Sequence, residues 1–210
     1  MKKLKPALEA RGFEVAIFHA TGMGGMAFEQ IAKQGKFVCV MDFALPELGN
    51  LLAGSVINGG EDRMLSAGVA NIPQIIAPGC IDLIDFAGWQ KIPKKYSDRP
   101  FHEHNRLIKS SALNTEERRE TAWEINIRLK KSQAPVHVIL PLRGIEEWDK
   151  IDGPAYDPDG LSAFMNEMKN SIKEPIGVTK IDNHINDEEF SLTVMKIFDN
   201  WVEQGIVLNK

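Results

Sequence analysis

Short continuous apolar runs alternate along the chain with stretches whose apolar residues recur every three to four positions. The runs Phe13–His19, Phe37–Met41, Gln74–Ala77, Val136–Leu140 and Ile176–Ile181 predict five strands, and their unbroken apolar character fits parallel strands covered on both faces. Leu4 and Leu8 mark a helix over 4–11 that Gly12 stops. A second helix runs from the glycines after His19 to about Gln34. Further helices are predicted over Pro46–Leu52 and Glu61–Ala70. Another follows Asn114, which has Glu117 three residues on, and carries the stripe Ala122, Ile125 and Leu129. Asp157-Pro158 opens a helix with the stripe Leu161, Phe164, Met165, Met168 and Ile172. Asn186 or Asp187 caps the last one, which buries Phe190, Val194, Ile197, Phe198 and Trp201.

This alternation predicts one α/β domain over 1–210. The expected fold is a doubly wound, mostly parallel, Rossmann-like sheet of five or six strands with helices on both faces. Residues 80–112 break the rhythm and read as an irregular loop or lid. A helix that leads straight into the first strand suggests that an earlier strand or domain precedes this one.

Polar and glycine-rich residues gather just after the strands, at the His19 turn, Asp42, Pro78-Gly79, Arg143-Gly144 and His184. Parallel strands bring those turns to one sheet edge, where such folds bind ligands. His19-Ala20-Thr21-Gly22-Met23-Gly24-Gly25 lies between a strand and a helix, so the N–H groups near Gly24 and Gly25 are placed for a phosphate or carboxylate, with Thr21 adding a hydroxyl. The turn lacks the Walker lysine and is not the full dinucleotide fingerprint, and a purely structural use of its glycines stays open. His19 is read equally as a core histidine or a ligand contact. Asp42 sits where a ribose hydroxyl is held, or caps the next helix. Arg143 pairs with phosphate, or with Glu146 or Glu147 at the surface.

His102 and His104 flank Glu103 in the cluster Arg99–Asn105, so both imidazoles point the same way in an extended segment. That spacing suits a metal, but no further ligand is placed by sequence, and contacts to a ligand or partner are the preferred reading. His102, His104 and His184 are the acid–base candidates if the chain is an enzyme. Neither a Gly-x-Ser-x-Gly elbow nor a histidine beside Cys39 or Cys80 supports a nucleophilic mechanism.

Charge and composition narrow the partners. A net charge of −4 with scattered basic residues gives no electrostatic case for nucleic acid or an anionic membrane, and the run Lys2-Lys3-Leu4-Lys5 reads as solvated. Two cysteines in apolar runs, no apolar signal region and no run of ~20 apolar residues point to a cytoplasmic protein.

Phe18–Gly25, Pro73-Gln74, Pro78–Asp82, Arg99 with His102, His104 and Asn105, Pro141–Gly144 and His184–Asp187 before Phe190 together resemble the ATP-binding domain family typified by the tomato mosaic virus resistance protein, in its C-terminal half. The resemblance covers nearly the whole chain. It implies nucleotide, ATP, bound by an α/β half that packs against a preceding α/β half, and no established reaction. An enzyme acting on a phosphorylated or carboxylate metabolite, and an interaction module that nucleotide stabilises, are the alternatives. An apolar face left by an absent half would favour self-association into a homo-oligomer.

Overall fold

The computed structural model describes residues 3–208. Lys2 of the basic run lies outside them; Lys3 and Lys5 are exposed and pair with Glu188 and Glu9.

Helix α1 (Leu4–Glu9) buries Leu4 and Leu8. Helix α2 (Met23–Lys33) follows the glycine turn. Next come β1 (Val40–Asp42), α3 (Pro46–Leu52), α4 (Ser66–Val69) and β2 (Gln74–Ile76). After β3 (Leu83–Ala87), β4 (His102–Asn105) and β5 (Ile108–Ala112), the chain forms α5 (Thr115–Leu129), β6 (Val136–Pro141), α6 (Pro158–Ser171), β7 (Gly177–Ile181) and α7 (Glu188–Glu203).

Strands β1, β2, β6 and β7 form a parallel sheet in that order. Its side chains divide by the period of two that a strand imposes. Ile76, Val136, Val138 and Leu140 face α5 and α6, meeting Ile125, Leu129, Phe164 and Met168. Ile75, Ala77 and Ile139 face α1 and α7, meeting Leu8, Phe190, Val194, Phe198 and Trp201. The fold is therefore α/β with helices on both faces, and every stripe predicted for α5, α6 and α7 is turned to a core. Asn114 and Glu117 form a reciprocal capping box at α5, and Asp157 accepts a hydrogen bond from Gly160 N–H at α6. Asp187 is the first residue before α7, but its carboxylate accepts from His184 N–H rather than from the helix.

Three expectations need correction. The helix predicted over Glu61–Ala70 is reduced to α4, with turns over 61–65. The sheet has four strands, not five or six. Residues 13–19 form neither helix nor strand and do not join it: among the described residues no backbone hydrogen bond links 14–18 to β1, which stays at the sheet edge. Phe13 is held by Phe198 and Phe18 by Phe28 and Phe37, so the segment is fixed by its aromatic side chains instead. A slot of about 420 Å³ separates it from 36–41.

Residues 80–112 are not irregular either. They hold β3, β5 and β4, an antiparallel sheet in that order with a register shift between Glu103 and Asn105. Ile84, Phe86, Tyr96 and Leu113 give it a small core of its own. Arg99 ties it to α5 by a fork onto Glu117, at 2.7 and 2.8 Å. Among the described residues, no helix is long and apolar enough to cross a membrane.

Candidate functional site

A cavity of about 640 Å³ opens at the carboxyl edge of the parallel sheet. The segment 16–21 and α2 form one wall, the end of β1 and the start of α3 form the floor, and the antiparallel sheet with residues 146–148 closes the far side. Of the residues singled out by sequence, His19, Thr21, Gly25, Asp42 and His104 line it. Gly22, Met23, Gly24, Pro78, Gly79, His102, Arg143 and His184 do not.

The glycine turn makes an anion seat, and the protein fills it. Gly22 has φ +92°, which a side chain would resist, and this turn lets α2 present its N-terminus to α3. Glu47, one residue inside α3, points its carboxylate at that end. Its Oε1 accepts from Gly22 N–H at 2.6 Å and from Gly25 N–H at 3.1 Å. A Cβ on Gly25 would fall on the Glu47 carboxylate, and one on Gly24 would fall on the His19 carbonyl. The glycines are needed for close approach whatever else the turn binds.

Arg63 lies behind Glu47 and is fully buried. Its Nε donates to Glu47 at 2.8 Å, its two terminal nitrogens fork onto Asp42, and further donors reach Ala44 O at 3.0 Å and Glu29 at 3.5 Å. Burial works against the charge, but the three carboxylates outweigh it and hold the guanidinium protonated. Glu29 in turn accepts from Met64 and Ser66 N–H. Asp42 is thus committed to Arg63 rather than to a helix cap.

The far side is rich in carboxyl groups. Asp85 accepts from Ser110 Oγ at 2.5 Å. Glu146 Oε2 accepts from Trp148 N–H at 2.6 Å, while its Oε1 has no partner. Burial pushes Glu146 up to about 7, with Asp82 and Asp149 adding to it against the Trp148 N–H. Asp82 sits just behind, its carboxylate without a hydrogen bond. Burial raises it to about 6, and Arg118 opposes that from 4.0 Å. Cys80, on the cavity wall with φ +57°, is raised to about 12 by burial and by these carboxylates.

The histidines separate into two kinds. His102 and His104 are exposed on β4 and do face the same way, both toward Trp148, with ring centres 6.0 and 5.4 Å from it. His184 is buried and fully engaged. Its Nδ1 accepts from Asn186 N–H at 3.0 Å, which leaves Nε2–H to donate to Glu146 O at 2.8 Å and Asp149 at 3.0 Å. It is a brace between the loops after β6 and β7, not an acid–base group of the cavity. Arg143 is exposed and forks onto Asp182, a partner that sequence did not suggest. Gly79 packs against the Phe43 carbonyl, and its own carbonyl accepts from Leu45 N–H at 2.8 Å. Among the described residues, no group of three or more His, Cys, Asp or Glu side chains is arranged to hold a metal ion.

Glu47 and Arg63 are the groups that sequence reading missed, and Glu146, read there as a surface partner of Arg143, is instead buried on the cavity wall. A glutamate in the first turn of a helix and an arginine after a glycine pair carry no distinguishing spacing. Only the fold brings positions 22, 42, 47 and 63 together.

Residues 1–202 match the family described as "Uncharacterised protein family (UPF0261) C-terminal domain". A UPF0261 protein of Brucella melitensis is 48% identical over 208 residues, covering 99% of this chain and 50% of the relative. A UPF0261 protein of Clostridium tetani is 30% identical over 201 residues, 95% of this chain and 50% of the relative. The tomato ToMV resistance protein Tm-1(GCR237) is 29% identical over 197 residues, 93% of this chain and 26% of the relative. The chain spans about half the length of the UPF0261 proteins of Brucella melitensis and Clostridium tetani.

Proposed function

This chain belongs to the UPF0261 family as its C-terminal domain, and from that premise we propose that it binds a nucleotide, ATP, in the cavity at the carboxyl edge of its parallel sheet. The observation that carries the reading is the convergence there of the glycine turn, the end of β1 and the loop after β6 around one cavity of about 640 Å³. The size suits a nucleotide. The charges decide which end enters. Glu47 already takes the Gly22 and Gly25 N–H groups, and every donor of Arg63 is used. Phosphate at the glycine turn does not fit this arrangement. The walls instead offer apolar surface from Phe28, Ile57 and Ile108, with acceptors at Asp85 and Glu146, which suits a base and ribose. The phosphates then point out of the open side, toward a companion half of the kind that precedes this domain in the longer relatives. Free thiols at Cys39 and Cys80 support a cytoplasmic setting.

Calorimetric titration with ATP, ADP and adenosine tests this. Binding of all three, with adenosine retaining most of the affinity, is the expected result. Absence of binding by any of them overturns the nucleotide reading, and binding of ATP that adenosine cannot match overturns the orientation. A second reading, an acid–base enzyme working in the same cavity, is favoured by one observation: the Glu146 carboxyl, raised to about 7, touches the cavity.

A further inference from the structure

The slot beside β1 goes beyond the nucleotide reading and does not rest on it. Its two long walls are both chain that belongs to no helix, with a bend at Val38 in the second. One is residues 13–17, the other residues 36–39 with Met41 of β1. In β1, Val40 N–H donates to Pro73 O and Asp42 O accepts from Ala77 N–H, so those residues bond to β2. By the alternation of a strand, the peptide groups of Cys39 and Met41 turn the other way, into the slot. Among the described residues they have no backbone partner there, and neither do those of 14–18. The lining is apolar: Leu8, Phe13, Val15, Val38, Met41 and Phe198, with charge only at Lys5, Glu14 and Lys36. Phe13, Val15, Val38 and Met41 pack against the α1–α7 core while staying only partly buried. An apolar groove with unpaired backbone on both sides has the chemistry of a strand seat, and an open strand edge is a site where proteins add strands.

We propose that this slot receives one β-strand from the half that precedes this domain in relatives twice as long, completing the parallel sheet between residues 13–18 and β1. Two observations choose that occupant. The Brucella melitensis and Clostridium tetani relatives each carry as much chain again as the part matched here, and the match is to a C-terminal domain. Helix α1 itself lines the slot through Leu4, Lys5 and Leu8, so chain arriving at α1 comes in beside the slot. A second copy of this chain is the poorer donor. Every strand among the described residues already lies in one of the two sheets, and the unpaired stretch 14–18 is a wall of the slot itself.

The experiment compares the chain alone with the chain co-expressed with the first half of the Brucella melitensis UPF0261 protein, followed by amide hydrogen exchange. Alone, the expected species is a monomer whose amides over 14–18 and at Cys39 and Met41 exchange rapidly, while that of Val40, which donates to Pro73 O, does not. In the co-expressed pair the expected species is a one-to-one complex in which those rapid amides slow by on the order of 100-fold or more, while β3 and β5 are unchanged. The variant Val15→Lys/Ile17→Lys, changed only at partly exposed positions and checked for fold by circular dichroism, is expected to weaken the complex at least about tenfold. Slow exchange in the monomer alone would mean that residues 13–18 close onto β1 unaided, and slow exchange only in a dimer of this chain would mean that a second copy fills the slot. Either result overturns the proposal. So does the absence of a complex, or a complex in which the slot amides still exchange freely or the lysine variant binds as well as the parent. Nucleotide calorimetry on the chain alone reads the other site separately.

Discussion

The Glu47 carboxylate and the Gly25 backbone are fitted to each other. Glu47 Oε1 accepts from Gly25 N–H at 3.1 Å, and no room is left for a Cβ on the glycine. The same carboxylate neutralises Arg63, so one residue serves both a helix N-terminus and a buried cation. This explains a glycine-rich turn without a lysine: the anion it was shaped to receive is internal.

Gly25→Ala is therefore expected to be costly. The methyl must displace Glu47, which strands the Gly22 N–H and weakens the hold on Arg63. A loss of about 2–4 kcal/mol in urea unfolding is expected, against about 1 kcal/mol or less for Gly35→Ala, where nothing stands within 4 Å of the added carbon but φ is +65°.

Glu146 gives a pH signature. Its folded carboxyl is raised to about 7, mainly by burial. A raised acid holds its proton longer in the folded state, so its contribution to stability is full below the unfolded value near 4 and fades as the pH rises through about 7. Asp82, raised to about 6, acts in the same sense. Urea midpoints should fall from about pH 4 to about pH 7 and level off above it, and Glu146→Gln should flatten that slope.

Glu117 works in the opposite direction. Burial alone would raise it, but hydrogen bonds from Arg99, Asn114 N–H and Lys95 bring it down to about 2. Its stabilisation is present above pH ~4 and is lost as the pH falls toward 2. Arg99→Ala should reduce acid sensitivity in that window while lowering stability at pH 7, read from thermal melts at both pH values.

His184→Ala removes a fully engaged brace and is expected to cost about 2–4 kcal/mol of stability. Arg143→Ala cuts an exposed pair and should cost about 0.5 kcal/mol or less. Arg143 neither lines the cavity nor touches a residue that does, so calorimetry should give the parental ATP affinity for Arg143→Ala, whereas His184→Ala also releases the Glu146 backbone on the cavity wall.

Both cysteines are pushed up to about 12, each chiefly by burial. Alkylation by iodoacetamide at pH 8 should be slow in the native chain and rapid for both thiols in urea, as mass spectrometry would record.

Much of this was legible in the sequence for a definite reason. The helix boundaries at Pro46, Asn114 and Asp157 follow local capping chemistry, and strands such as 136–141 are apolar enough to be buried anywhere. Residues 13–19 satisfied the same local rule, yet strand pairing is not local, and that segment found no neighbour. The antiparallel sheet over 83–112 was hidden because β4 reads His-Glu-His-Asn, polar on both faces, and all four residues are exposed. At the site, the turns that gather at the carboxyl edge follow from strand order. Whether a polar group there is spare or spent depends on partners 20 or more positions away: Gly22 meets Glu47, and Asp42 meets Arg63.

The Arg63 cluster locks α2, the end of β1 and α3 into one block, since Glu29, Asp42 and Glu47 each belong to a different one of them. The opposite wall of the cavity is a three-stranded flap whose outer strand is exposed, pairs with β5 and sets two histidine rings against Trp148. Variation is thus tolerated unequally across the cavity. Changes on the β4 side can retune what the site accepts at little cost to folding, whereas the ion-paired floor is frozen. Laboratory selection for a new ligand would therefore draw its useful substitutions from His104 on that flap, and almost none from 29, 42, 47 or 63.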